Sequence, residues 1–183
     1  MTNKWLGGEN GNVGGGEREV RWLTPPHIVQ ALGEFDLDPC GAPGHVLAKR
    51  TYLIDNGENG LALPWNGRVW LNPPYGKYAE RFLSRLADYG NGIALIFART
   101  ETRSFHENVW DRADGILFLA GRLTFLDARG TPAKANAGAP SCLVAYGSNN
   151  VDALASCGLL GKFVPLSQPA IASSGDGEAT NEA

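Results

Sequence analysis

The residues best suited to chemistry stand together in one stretch, Val69-Trp70-Leu71-Asn72-Pro73-Pro74-Tyr75-Gly76. The three apolar residues before Asn72 read as a short buried strand. Two prolines then end it: neither has an N–H to give a ladder, and each fixes its φ, so the chain leaves the sheet stiff and extended. A stiff strand end can hold the Asn72 amide oxygen and a neighbouring backbone carbonyl as two acceptors aimed at one point. The Tyr75 ring adds a flat face beside them. Such a set suits a planar group bearing an –NH2: the acceptors take its two hydrogens and the ring stacks on its π system. As that amine attacks an electrophile, positive charge develops on nitrogen, and fixed carbonyl dipoles stabilise it more than they stabilise the flat ground state. The bland alternative is a tight surface turn, where Pro-Pro pairs are common.

Other candidates are placed by the elements that carry them. Residues 35–40, Phe-Asp-Leu-Asp-Pro-Cys, read as a strand delivering Asp38 to a turn with Gly41, Pro43 and Gly44. A carboxylate at a strand's carboxyl end, followed by a small-residue loop, is how open α/β sheets meet an adenosyl-type ligand. Thr24-Pro25-Pro26 is a helix start: Thr24 can cap, Pro25 suits the first helical position, Ile28, Val29 and Leu32 form an apolar face, and Gly33 ends it. Residues 50–54 form a further candidate strand with Asp55 at its end. A helix is expected from about residue 78 to 87, with Phe82, Leu83 and Leu86 inward. Residues 92–98 are uninterruptedly apolar, as in a strand covered on both faces, and lead into Arg99-Thr100-Glu101-Thr102-Arg103. A helix over 104–111, a strand over 115–120 followed by Arg122, and a last strand over 141–146 complete the pattern. Strands alternating with helices imply an α/β fold whose largely parallel sheet binds ligands at its carboxyl edge. Four polar clusters fall there: Asp38, Asn72 to Tyr75, Arg99 to Arg103, and Arg122 with its sequel.

The totals bound the possibilities. In 183 residues, 43% hydrophobic, one domain fits at 20–166, with Gly-, Asn- and Ser-rich ends at 1–19 and 167–183 that read as disordered. No apolar run approaches the ~20 residues of a membrane span, and no signal peptide opens the sequence. Cys40, Cys142 and Cys157 make no CxxC pair and the three histidines lie far apart, so neither a metal site nor a disulfide framework is expected, and a reducing cytoplasm is the default. Cys142 reads as core; His27, His45 and His106 read as surface or helix-face residues. The net charge of −3 hides an asymmetry: residues 68–134 hold ten basic and seven acidic groups, while both flanks are net acidic. This suits a local phosphate-facing surface, or simply a solvated face.

With these residues in hand, the sequence resembles the phage and prophage family of DNA adenine-N6 methyltransferases. The resemblance runs from about Trp22 to Tyr146. It rests on Trp22-Leu-Thr-Pro-Pro26, the 35–40 segment, Gly60-Leu61 with Trp65, Trp70 to Tyr75, Arg99-Thr100, Gly121-Arg122 with Phe125, and the final strand. It implies a Rossmann-like sheet dependent on S-adenosyl-L-methionine, with its last strand antiparallel. Asn72 and Pro73 would bind the target amine, Pro74 would set the geometry, and Tyr75 would stack on the base. Thr24 and Pro25 match the segment at the methionine end of the cofactor, and Asp38-Pro39-Cys40 matches the loop beneath it. Asp55 is the candidate for the ribose hydroxyls, with Leu61 beside the adenosine. Arg99, Arg103, Arg122, Phe125, Arg129 and Lys134 are the candidate DNA contacts, the last four in the stretch 121–140. Only about 33 residues separate Asp38 from Asn72, whereas a single crossover takes at least ~10–12. The sheet is therefore expected to be trimmed on the cofactor side.

The activity this implies is direct methyl transfer to an adenine that is flipped out of the duplex or single-stranded. Phe125 could close on the ring opposite Tyr75. Two rivals remain at this point: the same chemistry on an rRNA base amine or a protein glutamine, and a non-catalytic DNA-binding module with a decayed methyltransferase fold.

Overall fold

The computed structural model describes residues 22–74 and 76–166. Their frame is one mixed seven-stranded sheet: β1 (Leu37–Asp38), β2 (Arg50–Thr51), β3 (Val69–Leu71), β4 (Gly92–Phe97), β5 (Gly115–Leu119), β6 (Ser141–Tyr146) and β7 (Gly161–Pro165). The spatial order is β2-β1-β3-β4-β6-β5-β7. The first four strands pair in parallel, with Leu37 opposite Arg50 and Val69, and Leu71 opposite Ala94. β6 runs antiparallel to both β4 and β5, and β7 runs antiparallel to β5. β5 therefore points the same way as β1 to β4, so five strands end at one edge. This arrangement is compatible with a Rossmann-like methyltransferase fold. On the β1 side the sheet narrows to two strands of two residues each.

Helices cover both faces. α1 (Pro26–Gln30) and α4 (Ser148–Ser156) lie on one; α2 (Lys77–Tyr89) and α3 (Arg103–Phe105), which widens into a π-helical turn over His106–Trp110, lie on the other. Strand alternation sorts the core between them. Cys142, Val144 and Tyr146 pack with Phe82, Leu83, Leu86 and Phe105, while Leu143 and Ala145 pack with Ile28, Val29, Leu32, Trp70 and Phe125. All six residues of β6 are buried, as expected for a strand covered on both sides.

Several expected elements change. The strand at 35–40 shortens to Leu37–Asp38, because Pro39 has no N–H to continue the ladder. The strand at 50–54 shortens to Arg50–Thr51, and Asp55 falls in a single 3-10 turn, Ile54–Asn56, exposed to solvent. Thr24 does not cap α1; Pro25 occupies that position without a side-chain bond, and the helix stops at Gln30, before Gly33. The strand at 141–146 is not the last. β7 follows α4, and its signal is weak in sequence because an edge strand of five residues, half-exposed and ending in proline, lacks strict alternation. The terminal arms expected at 1–19 and 167–183 lie outside the described residues.

Candidate active site

The shared edge where the parallel strands end is built from three segments that meet at Asn72. Because β1 and β3 are neighbours, the turns after Asp38 and after Leu71 lie side by side. From the first turn, the Cys40 thiol donates to the backbone carbonyl of Asn72 at 3.3 Å. From the approach to α1, the Trp22 carbonyl accepts the Asn72 Nδ2 amide at 3.1 Å. A primary amide forks, so a nitrogen committed to Trp22 turns Oδ1 away from it. Trp22 and Leu23 are themselves anchored, since Leu23 exchanges two 2.9 Å backbone bonds with Leu126. Pro73 follows, buried, on the border of a cavity of about 590 Å³ shared with Leu83, Ile96 and Phe105 and with Arg99 and Arg103.

The turn after β1 is tightly backed. The Cys40 N–H donates to Asp38 Oδ1 at 3.1 Å. A side chain at Gly60 would collide with the Pro39 carbonyl, and one at Gly41 would collide with Thr51 and crowd the Asp38 carboxyl. Both positions need glycine for close approach, not for an unusual φ. Asp38 is only 3% exposed, and burial raises its pKa to about 7, outweighing the hydrogen bond from Cys40. Burial, with Asp38 adding to it, pushes the Cys40 thiol well up, so it stays a protonated donor. Three hydroxyls along this edge, Thr24 Oγ1, Thr51 Oγ1 and Ser141 Oγ, are buried without a hydrogen-bond partner among the described residues. Buried polar groups in that condition are uncommon in native folds and point to a ligand or a missing partner. His45, expected at the surface, is instead half-buried: its Nε2 lies 3.0 Å from the Thr24 carbonyl. A carbonyl only accepts, so Nε2 carries the proton.

Sequence comparison decides the family. A family model described as DNA N-6-adenine-methyltransferase (Dam) matches residues 16–152, most of the chain. The chain belongs to the Dam family. No curated protein matches it by sequence.

Within this Dam-family chain, part of the expected acceptor and cofactor set comes together, and the expected DNA contacts divide. Asn72, Pro73 and Pro74 lie at the end of β3; the Asp38–Cys40 turn reaches Asn72 through the Cys40 thiol, and the segment leading to Thr24 and Pro25 reaches it through the Trp22 carbonyl. Tyr75 lies outside the described residues. Leu61 is half-buried, its N–H held by Asn59 Oδ1, and packs on the core under α2. Asp55 lies on the exposed 3-10 turn Ile54–Asn56.

Arg99 and Arg103 are exposed at the cavity rim; Arg103 is paired at 2.6 Å with Glu107. Arg122, Arg129 and Lys134 are exposed on the 121–140 stretch, where Arg122 donates to the Ala137 carbonyl and Arg129 pairs with Asp127. That stretch is pinned by the bonds to Leu23 and by internal bonds from Ala133 to Phe125 and from Ala137 to Leu123. Phe125 departs from expectation: only 5% exposed, it packs with the core beneath α1 and offers no exposed ring. Sequence alone hid Cys40 as a partner of Asn72, and Trp22 likewise, because both contacts depend on which strands and segments become neighbours. Among the described residues, no helix is long and apolar enough to cross a membrane, and no group of three or more His, Cys, Asp or Glu is placed to hold a metal ion.

Proposed function

We propose that the chain methylates the N6 amine of adenine in DNA, using S-adenosyl-L-methionine and direct transfer to a flipped-out or single-stranded base. The observation that carries this reading is the two-point hold on Asn72. Its Nδ2 and its backbone carbonyl are both engaged, so Oδ1 and the Pro73 carbonyl are the acceptors left at the strand end. They take the two hydrogens of the amine, fix the direction of its lone pair, and stabilise the positive charge that grows on nitrogen. Holding the amine in line with the methyl supplies much of the rate. Tyr75 stacks on the base, and Pro74 stiffens the turn between them.

The residues at the edge fit the cofactor. A sulfonium amino acid brings an ammonium and a carboxylate, and the edge offers a buried carboxyl short of positive partners, Asp38, and an orphan hydroxyl, Thr24 Oγ1. Thr24, Pro25, Asp38, Pro39 and Cys40 take the methionine end; Leu61 and, further out, Asp55 take the adenosine. Bound S-adenosylmethionine supplies an electrophilic methyl on positively charged sulfur. Arg99, Arg103, Arg122, Arg129 and Lys134 face the phosphates, a role that makes binding fall with salt.

The test is transfer of labelled methyl from S-adenosylmethionine to unmethylated DNA, to ribosomal RNA and to a protein lysate, followed by nucleoside analysis. Label in N6-methyladenine of DNA is expected. Label entering only RNA or protein would overturn the DNA acceptor, and absence of cofactor binding by calorimetry would favour a decayed, non-catalytic module.

A further inference from the structure

We infer that Cys40 is a positioning residue: its thiol holds the backbone carbonyl of Asn72 and so couples the turn after β1 to the acceptor turn after β3. This deepens the proposed function and rests on it. The Asn72 carbonyl belongs to the peptide joining Asn72 to Pro73. Because that peptide is planar and the ring fixes φ of Pro73, its orientation places Pro73 and leaves only ψ of Pro73 to aim the next carbonyl. Since Pro73 and Pro74 have no N–H, this turn cannot be braced through their backbone donors. The 3.3 Å thiol contact supplies a brace from outside the turn. The thiol is itself aimed by a backed loop, with Cys40 N–H on Asp38 Oδ1, Pro39 against Gly60, and Gly41 against Thr51 and Asp38. Whatever shifts Asp38 therefore moves the group that fixes the acceptor pair. A cofactor that engages Asp38 would tighten the acceptor turn before the base arrives.

The test uses the full chain with Cys40→Ala and Cys40→Ser. Cys40→Ala should lower kcat about tenfold, a larger change than it makes in cofactor Kd, since a lost brace costs on the order of one hydrogen bond in the transition state. Cys40→Ser, which keeps a donor, should recover most of the loss. Melting curves on both variants separate this from simple instability, which would lower the folded fraction and not the kcat per folded molecule. A second readout needs no turnover. The infrared S–H stretch of Cys40, isolated by subtracting the Cys40→Ala spectrum, should lie at lower frequency than an unbonded thiol and should move when S-adenosylmethionine is added. Unchanged kcat in Cys40→Ala, failure of serine to rescue, or a band at the unbonded position unmoved by cofactor would each overturn the inference. An inactive wild type would overturn the proposed function instead; the band and its response to cofactor would then decide this inference alone.

Discussion

The two edges of the sheet are built to opposite rules. At the edge where the parallel strands begin, polar groups are bonded to one another. The Arg68 guanidinium donates to the Leu32 and Glu34 carbonyls and to Asn150 Oδ1, and it lies 4.2 Å from the centre of the Phe35 ring. Asn150 passes the network on to Asn91 and the Tyr146 carbonyl. Asp36 accepts the Arg68 N–H, and Asp114 accepts that of Gly147. One nitrogen of Arg68, Nη2, is the exception. At the edge where the strands end, Thr24, Thr51 and Ser141 keep buried hydroxyls without partners, and Asp38 is buried with its pKa raised. The first edge holds the fold together. The second leaves buried polar groups unpaired at a cost in stability, as expected of an edge that takes a ligand.

The sharpest way to break this contrast is to damage the closed edge. Arg68→Ala should cost about 2–4 kcal/mol in urea unfolding, since it strands several acceptors at once. Methyl transfer per folded molecule should stay within about twofold. A large fall in kcat would mean the two edges are not separable.

Asp38 tests the open edge through pH. Its folded pKa of about 7 lies above the 3.8 of an ordinary aspartate. Between those values the folded chain keeps a proton that the unfolded chain has lost, so stability falls as pH rises through that window and is unaffected below it. Asp38→Asn should remove this slope and leave the free protein more stable than wild type above neutrality, read from melting temperature against pH. Cofactor affinity should go the other way. If Asp38 meets the ammonium, wild-type binding strengthens as pH rises towards and past 7, and Asp38→Asn weakens it at least about tenfold with little pH dependence left. Titration calorimetry across that range checks both.

The smallest effect is expected at Thr24. Replacing its orphan hydroxyl with a methyl, Thr24→Val, should stabilise the free chain by up to about 1 kcal/mol, because an unpaired buried hydroxyl is lost. The same change should weaken cofactor binding a few fold. Destabilisation with unchanged binding would show that the hydroxyl serves the fold and not the ligand.

The contrast also explains what could be read in advance. The central strand and its proline turn were legible because their signals are local: β-branched and aromatic residues, then two residues that cannot donate. The apolar runs of β4, β5 and β6 were legible for the same reason, as was the inward face of α2. What escaped was tertiary. Phe125 looked like a ring for stacking on a base, but a docked stretch between β5 and β6 buries it. His45 and Cys40 gave no local sign of their partners, which come from residues 21 and 32 positions away in sequence. β7 was missed because edge pairing depends on a neighbour more than on its own sequence.

The most direct test of the central idea is Asn72→Ala, assayed for methyl transfer to DNA and for S-adenosylmethionine binding in the same preparation. Transfer should fall by about 100-fold or more, on the scale of removing one electrostatic contact to the reacting group, while cofactor Kd changes by no more than a few fold. Equal loss of both, or transfer that survives, would contradict the assignment of Asn72 to the acceptor amine.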